Sequence, residues 1–235
     1  MAIMHQTRVQ PIVALQAIRR LIADPERTHE VFTIIRALSG PALQNGFKRF
    51  AATEAGQKVL REEIDLLDTL QNHQLLQTMP ANSLGRHYLH FVTAENLSAG
   101  ELVDASSSGE IDQLEGDLAR FAARQRDMHD LWHVLTGYGR DTLGELCLLS
   151  FTYAQTRNRG VGFICLVGAK KLCQEYGRGV YRAARRAYRD GKEAAWLPAQ
   201  DWEALLAMPI DEVRQSLGIG QPRDYVSLRG SVATV

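Results

Sequence analysis

Apolar residues recur at every third or fourth position along nearly the whole of this chain. No stretch alternates apolar with polar residues as a half-buried strand would. Ile12, Leu15, Ile18 and Ile22 follow Pro11 at helical spacing, and the run ends near Asp24-Pro25. Thr28 can cap a second helix bearing Val31, Phe32, Ile35 and Leu38, which Gly40-Pro41 stops. Shorter helices are expected over 42–52 and 53–60, and another around Leu66, Leu67 and Leu70. Ser83 can cap a helix with Leu84, Tyr88, Phe91 and Val92. The segment Asp104 to Gly109 reads as a flexible loop. A long helix is expected from near Ile111 to Thr136, broken by Gly137-Tyr138-Gly139 and restarted by Asp141 or Thr142 as far as about Arg157. Gly160 opens a further helix to about Tyr176, 178–190 forms another, and Pro198 and Pro209 punctuate two short ones. The expected class is all-α: a single-domain helical bundle over 1–235, with the Gly137 turn joining an αα-hairpin. The glycine pairs at 137/139, 160/162 and 177/179 follow no strand and complete no dinucleotide fingerprint, so they read as helix punctuation.

Composition narrows the partners. The 235 residues carry 27 basic and 27 acidic side chains, so no overall field draws a nucleic acid. Cys147, Cys165 and Cys173 form no C-x-x-C pair and sit in apolar or helical surroundings, which suits reduced residues of an intracellular protein. The N-terminal residues show no charged start followed by an apolar run. The apolar stretches Leu143 to Ala154 and Val161 to Ala169 fall short of the roughly 18 residues that a membrane span needs.

The chemistry gathers at H-D-L-W-H-V-L-T-G-Y-G-R-D-T-L-G-E, residues 129–145. Each helical residue advances about 100°, so His129 and His133 stand one turn apart on one line, with Asp130 close enough to share a centre. The Gly137–Gly139 turn lets a returning helix bring Glu145 to face the pair, and Gly144 would allow close helix approach. Two imidazoles with one or two carboxylates make a metal site, and the ion removes the cost of burying the carboxylates unpaired. The set suits a divalent metal: zinc first, with iron, manganese or cobalt also fitting mixed nitrogen and oxygen ligands. It is not the H-E-x-x-H protease arrangement, since Asp130 follows the first histidine.

His129-Asp130-x-x-His133-x(11)-Glu145 resembles the signature of the ubiquinone biosynthesis protein four family of coenzyme Q synthesis. The likeness extends to Arg124 to Asp127, Gly144-Glu145-Leu146 and Leu84-Gly85-Arg86-x-Tyr88. It also takes in Trp202-Glu203, Pro209-Ile210-Asp211-Glu212-Val213-Arg214 and Leu217-Gly218-Ile219, covering about residues 8–220. The resemblance implies a metal held by His129, Asp130, His133 and Glu145. It further implies removal, oxidative in its expected form, of the C1 carboxyl from a polyprenylated hydroxybenzoate, beside an organising role among other ubiquinone-biosynthesis proteins. Without the mitochondrial extension of eukaryotic members, it implies a bacterial-type protein in the cytoplasm, on the inner face of the cell membrane. A homo-oligomer is allowed. Two rival readings are a non-catalytic scaffold or lipid-presenting protein with a structural metal, and a helical metal-dependent phosphohydrolase. The second shares the adjacent His-Asp pair but not Glu145.

Three further features stay open at this level. Arg126, one turn before His129, either anchors a substrate carboxylate or ion-pairs with Asp130 or Glu145. Arg178, Arg182, Arg185, Arg189 and Lys192 fall within about an 80° arc bordered by Tyr181 and Tyr188, as on a helix facing solvent, a partner or an anionic membrane. Segments 146–154 and 161–169 are apolar nearly all round, as core helices are and as the lining of a prenyl tunnel would be. Of the remaining histidines, only His87 lies where an approach to the metal is conceivable.

Overall fold

Several helix starts in this protein follow side chains that cap them. In the computed structural model, which describes residues 8–23, 27, 29–95 and 114–232, every regular element is helical apart from one isolated bridge between Ser83 and Pro209. In chain order the helices are α1 (Pro11–Ala23), α2 (His29–Ser39), α3 (Ala42–Ala51), α4 (Glu54–Arg61), α5 (Leu66–Gln71), α6 (His73–Thr78) and α7 (Leu84–Ala94). They continue as α8 (Gly116–Thr136), α9 (Thr142–Thr156), α10 (Arg159–Tyr176), α11 (Gly179–Glu193), a 3-10 turn (Leu197–Ala199), α12 (Trp202–Leu205), α13 (Ile210–Leu217) and α14 (Arg223–Val232). The expected break at Asp24-Pro25, the Thr28 cap and the loop from Asp104 to Gly109 lie outside the described residues.

Ser83 caps α7 as expected, accepting from the Arg86 amide at 3.2 Å, and Asp141 caps α9 through the Gly144 amide at 3.0 Å. Asn158 caps α10, so that helix starts before Gly160. The long helix begins at Gly116 rather than near Ile111, which itself lies outside the described residues; Leu114 and Glu115 are not helical. Sequence periodicity also passed over α6, too short to show a period, although Asn72 caps it, and α14 at the C-terminal end.

By their contacts the residues fall into two units, each assembled from separated stretches. The first comprises Met1–Gly46, Tyr138–Lys192 and Pro222–Val235. Here α2 packs on α1 and α10, while α9 and α10 pack on each other and on α14. Gly160 is no punctuation mark: a methyl there would lie 2.3 Å from the Ile35 carbonyl oxygen, so the glycine lets α10 meet the α2 backbone. Gly144 likewise serves its own loop, since a Cβ would fall 2.0 Å from the Gly139 carbonyl oxygen.

The core reading of 146–154 holds, with Leu146, Cys147, Leu148 and Phe151 buried. It fails in the middle of 161–169, where Leu166 is 72% and Val167 48% exposed. A cavity of about 590 Å³ adjoins that face, lined by Val9, Leu38, Phe163, Leu166, Tyr181 and Ala184, with Arg159 and Arg185 among its polar groups. On α11 the cations Arg182, Arg185, Arg189 and Lys192, with Arg178 just before it, are exposed, while Val180, Ala183 and Ala187 are buried. The three cysteines are free: Cys147 is buried and Cys165 and Cys173 half-buried.

The second unit comprises Phe47–Gly137 and Glu193–Gln221. Its core joins Phe50, Leu70, Leu84, Phe121, Leu131 and Trp202, with the Phe50 and Phe121 rings 4.9 Å apart. α7 is fixed at its start. The Leu84 and Gly85 amides, donors that an isolated helix leaves unpaired, donate to the Met208 and Leu206 carbonyls at 2.9 and 2.8 Å. That close approach needs Gly85, because a Cβ there would meet the Met79 sulfur at 2.4 Å. α7 thereby lies along α8.

Candidate metal centre

α8 buries charge as readily as it buries hydrocarbon. From Phe121 on, its buried residues include Arg124, Asp127, Asp130 and His133 beside Met128, Leu131 and Leu135, so no side of the helix is left wholly to water. An arrangement of this kind is stable only where the charges are paired. Arg124, its side chain 2% exposed, makes a two-point contact with Glu203, at 2.7 and 2.9 Å, and donates to the Gln200 carbonyl at 3.2 Å. The Trp202 indole N–H points at the Met128 sulfur. Together these contacts fix α8 against α12.

One turn further on, His129, Asp130 and His133 each offer a ligand atom, and those atoms all lie within 4.8 Å of one another. The i, i+4 spacing stacks the two imidazoles one turn apart. Their ring centroids are 4.9 Å apart with planes at 86°, and the Phe91 ring of α7 stacks on His133 at 5.7 Å. His129 is half-buried, whereas Asp130 and His133 are buried, so a bound ion would be reached from the His129 side. The donor set fits a divalent cation: two neutral nitrogens and an anionic oxygen, with the cation offsetting the carboxylate's loss of water. Tyr88 of α7 borders the same place. Burial, together with the negative charge of Asp130 and Asp127, holds its phenol well above the usual range, so it stays protonated.

Of the other residues singled out from the sequence, Arg126 donates its Nε to Asp127 Oδ1 at 2.8 Å. Neither Asp130 nor Glu145 takes that bond. Asp127 could be suspected in sequence only as the acid after Arg126, one turn before Asp130. Its side chain is 2% exposed, its second oxygen is buried without a hydrogen-bond partner, and burial raises its carboxyl above the usual value against the pull of Arg126. Glu145 stands in the first turn of α9, half-buried, in the first unit; the group of mutually close ligand atoms consists of the two histidines and Asp130. His87 is exposed. Tyr88 and Phe91, which wall the site, carried no signal in sequence beyond their helical spacing.

The start of α9 is built as firmly as α8. Asp141, besides capping the helix, accepts from the Tyr225 hydroxyl of α14, and the Gly139 amide donates to that same hydroxyl at 3.1 Å. Burial and the Asp141 charge push the Tyr225 phenol up to about 12.

Over residues 4–223 the chain matches the profile of a family described as Coenzyme Q (ubiquinone) biosynthesis protein Coq4. It is 31% identical over 180 residues to the mitochondrial ubiquinone biosynthesis protein COQ4 of Podospora anserina, covering 76% of this chain and 58% of that one. With the corresponding Scheffersomyces stipitis protein the identity is 27% over 207 residues, 87% of this chain and 63% of that one. The chain thus spans about three fifths of the length of these curated relatives. A solved structure from Nostoc punctiforme PCC 73102, described as a candidate ubiquinone biosynthesis protein, shares the fold. Its TM-score is 0.65 at 20% identity, covering 91% of this chain and all of that one.

Proposed function

The chain belongs to the Coenzyme Q (ubiquinone) biosynthesis protein Coq4 family, and from that premise we propose that it is a metal-dependent decarboxylase of ubiquinone biosynthesis. The substrate in this reading is a polyprenylated hydroxybenzoate, and the bond broken joins C1 of the ring to its carboxyl carbon. Carbon dioxide leaves, and the ring carbon keeps the electron pair and takes a proton. In the oxidative form molecular oxygen takes two electrons and leaves as hydrogen peroxide, while water supplies the hydroxyl that replaces the departing carbon dioxide at C1. The observation that carries the reading is the convergence of His129, Asp130 and His133 on one face of α8.

His129, Asp130 and His133 would hold the ion. A divalent cation there supplies a Lewis acid for a phenolate or carboxylate oxygen, and a redox-active one also opens the oxidative route. Zinc is the first choice for the ion, with iron, manganese and cobalt behind it. Arg126 keeps its two Nη groups for the substrate carboxylate while Asp127 fixes its Nε. Phe91 and Tyr88 give the ring an apolar wall and exclude water from the ligand cluster.

The apolar cavity beside α10 and α11, within the first unit, suits a hydrocarbon chain. The exposed cations of α11 suit an anionic membrane surface, each contributing about 1 kcal/mol there. No helix among the described residues is long and apolar enough to cross a membrane. We propose that α11 binds the protein peripherally to an anionic membrane surface, beside other proteins of the same pathway. The cavity also favours a second reading, in which the protein presents a prenylated intermediate to other enzymes and the metal is structural.

The deciding experiment pairs metal analysis with turnover. Wild-type protein should carry a stoichiometric divalent ion and release carbon dioxide from the prenylated acid. His133→Ala should lose the ion, by more than the roughly ten- to hundredfold in affinity that a ligand's outer partner costs, while keeping its helical circular dichroism. Unchanged metal content in that variant would sink the site. Stoichiometric metal with lipid binding but no turnover would give the presenting role the better claim.

A further inference from the structure

A helix gives up hydrogen bonds where it ends, because its last four carbonyls have no N–H one turn ahead. In α8 the last turn runs from His133, a proposed ligand, to Thr136, and the shortage begins at Val134, because the Gly137 amide still lies one turn ahead of His133. The His133 carbonyl is met by the Gly137 amide at 2.9 Å, an arrangement that turns the chain left-handed at Gly137, with φ 73°. The next two carbonyls are both met by one side chain from 79 and 80 residues away. Arg214 of α13 donates Nη2 to Val134 at 3.0 Å and Nε to Leu135 at 2.9 Å. Its Nη1 turns outward to Asp211 at 3.2 Å, and the guanidinium side chain is 24% exposed. The planar fork that makes arginine suit two oxygens at once is here spent on two successive backbone carbonyls. Its charge also sits at the negative end of the helix.

We propose that Arg214 is a positioning residue for the metal centre, locking the last turn of α8 so that His133 stays in register with His129 and Asp130. The inference rests on the reading of that cluster as a metal site. Helix ends fray, and His133 lies in the turn most exposed to fraying. Each moment that the turn is open takes one imidazole off the common line. The affinity for an ion falls by the fraction of time that the three donors are correctly placed. Leu131 and Leu135, both fully buried, keep the helix seated when Arg214 is gone, so the loss is one of local order.

The test compares wild type, Arg214→Ala, Arg214→Lys and Asp211→Asn. The readouts are zinc affinity by chelator competition, amide exchange of the metal-free protein, and melting with and without zinc. Arg214→Ala should bind zinc roughly tenfold more weakly, the low end of what losing a ligand's orienting partner costs. The Gly137 amide should exchange faster, and the zinc-induced rise in melting temperature should shrink. Arg214→Lys should recover part of the affinity, since an ammonium reaches one carbonyl but does not span two. Asp211→Asn keeps both carbonyl bonds and should bind as wild type does.

Equal falls in melting temperature with and without zinc, at unchanged affinity, would make Arg214 a general stabiliser and overturn the proposal. If Arg214→Ala does not fold, Arg214→Lys decides: a severalfold loss of affinity supports positioning, and wild-type affinity overturns it. Wild-type protein that takes up no divalent ion would remove the metal reading itself, a failure distinct from that of Arg214.

Discussion

The two units break the ordinary partition of side chains in opposite directions. The second buries what is usually exposed: Arg124, Asp127, Asp130 and His133 all lie inside along a single helix. The first exposes what is usually buried, with Ile12 71%, Leu166 72% and Val226 58% open, and it holds an apolar cavity of about 590 Å³. Buried charge calls for a counter-charge, which Arg124 finds in Glu203 and Asp127 in Arg126, although one oxygen of Asp127 has no hydrogen-bond partner. Exposed hydrocarbon calls for an apolar cover. In the function proposed above, the buried charge of the second unit would serve an ion, and the cavity of the first would suit hydrocarbon.

The buried pair gives the sharpest test of the polar half. Arg124→Ala leaves Glu203 without its partner and should cost about 3–5 kcal/mol in denaturant unfolding, as breaking a buried ion pair does. A loss below about 1 kcal/mol would show that the pair is screened as a surface pair is, and the contrast between the units would weaken.

Smaller in effect, and aimed at chemistry, is Arg126→Lys. The charge remains but the two-point contact is lost. Charge-assisted hydrogen bonds contribute about 1.5–3 kcal/mol, so kcat/KM should drop roughly ten- to a hundredfold. Bound metal should stay at the wild-type level. Metal and turnover falling together would assign Arg126 to ligand support instead, and full activity would take it out of the mechanism.

The first unit should respond more gently. Reversing Arg182 and Arg185 to Glu should weaken binding to anionic liposomes severalfold, and wild-type binding should itself fade as salt rises, because exposed charges are screened. Wild-type protein that ignores such liposomes at low salt would leave α11 as a face for solvent or for another protein. Least of all should Leu166→Ser matter to the fold. A side chain already in water changes stability by about 0.5 kcal/mol or less, while liposome binding should drop slightly. Destabilisation by several kcal/mol would show that Leu166 is covered in solution.

The regular spacing of apolar residues made the all-α class legible, and short polar side chains marked several helix starts, Ser83 and Asp141 among them. The three mutually close side chains able to hold a metal were legible for the same reason, since they lie on one helix, where spacing in sequence is spacing in space. The reading stopped where neighbours come from elsewhere in the chain. Gly160 and Gly144 passed for a helix break and a helix contact because the Ile35 and Gly139 backbones that press on them are set by packing and turn geometry. Arg126 offered several partners at helical distance, and burial gave it Asp127.

What the sequence determined by itself is therefore local: helical class, caps, and the line of His129, Asp130 and His133, all fixed by geometry within a turn or two. Tertiary structure alone decided that Phe91 stacks on His133, that Glu203 neutralises Arg124 and that Arg214 closes the end of α8. Each of these joins residues 42 to 80 positions apart. Contacts at that range form only once the helices pack. The buried area and the satisfied carbonyls that select them belong to the assembled unit and to no stretch of the chain taken alone.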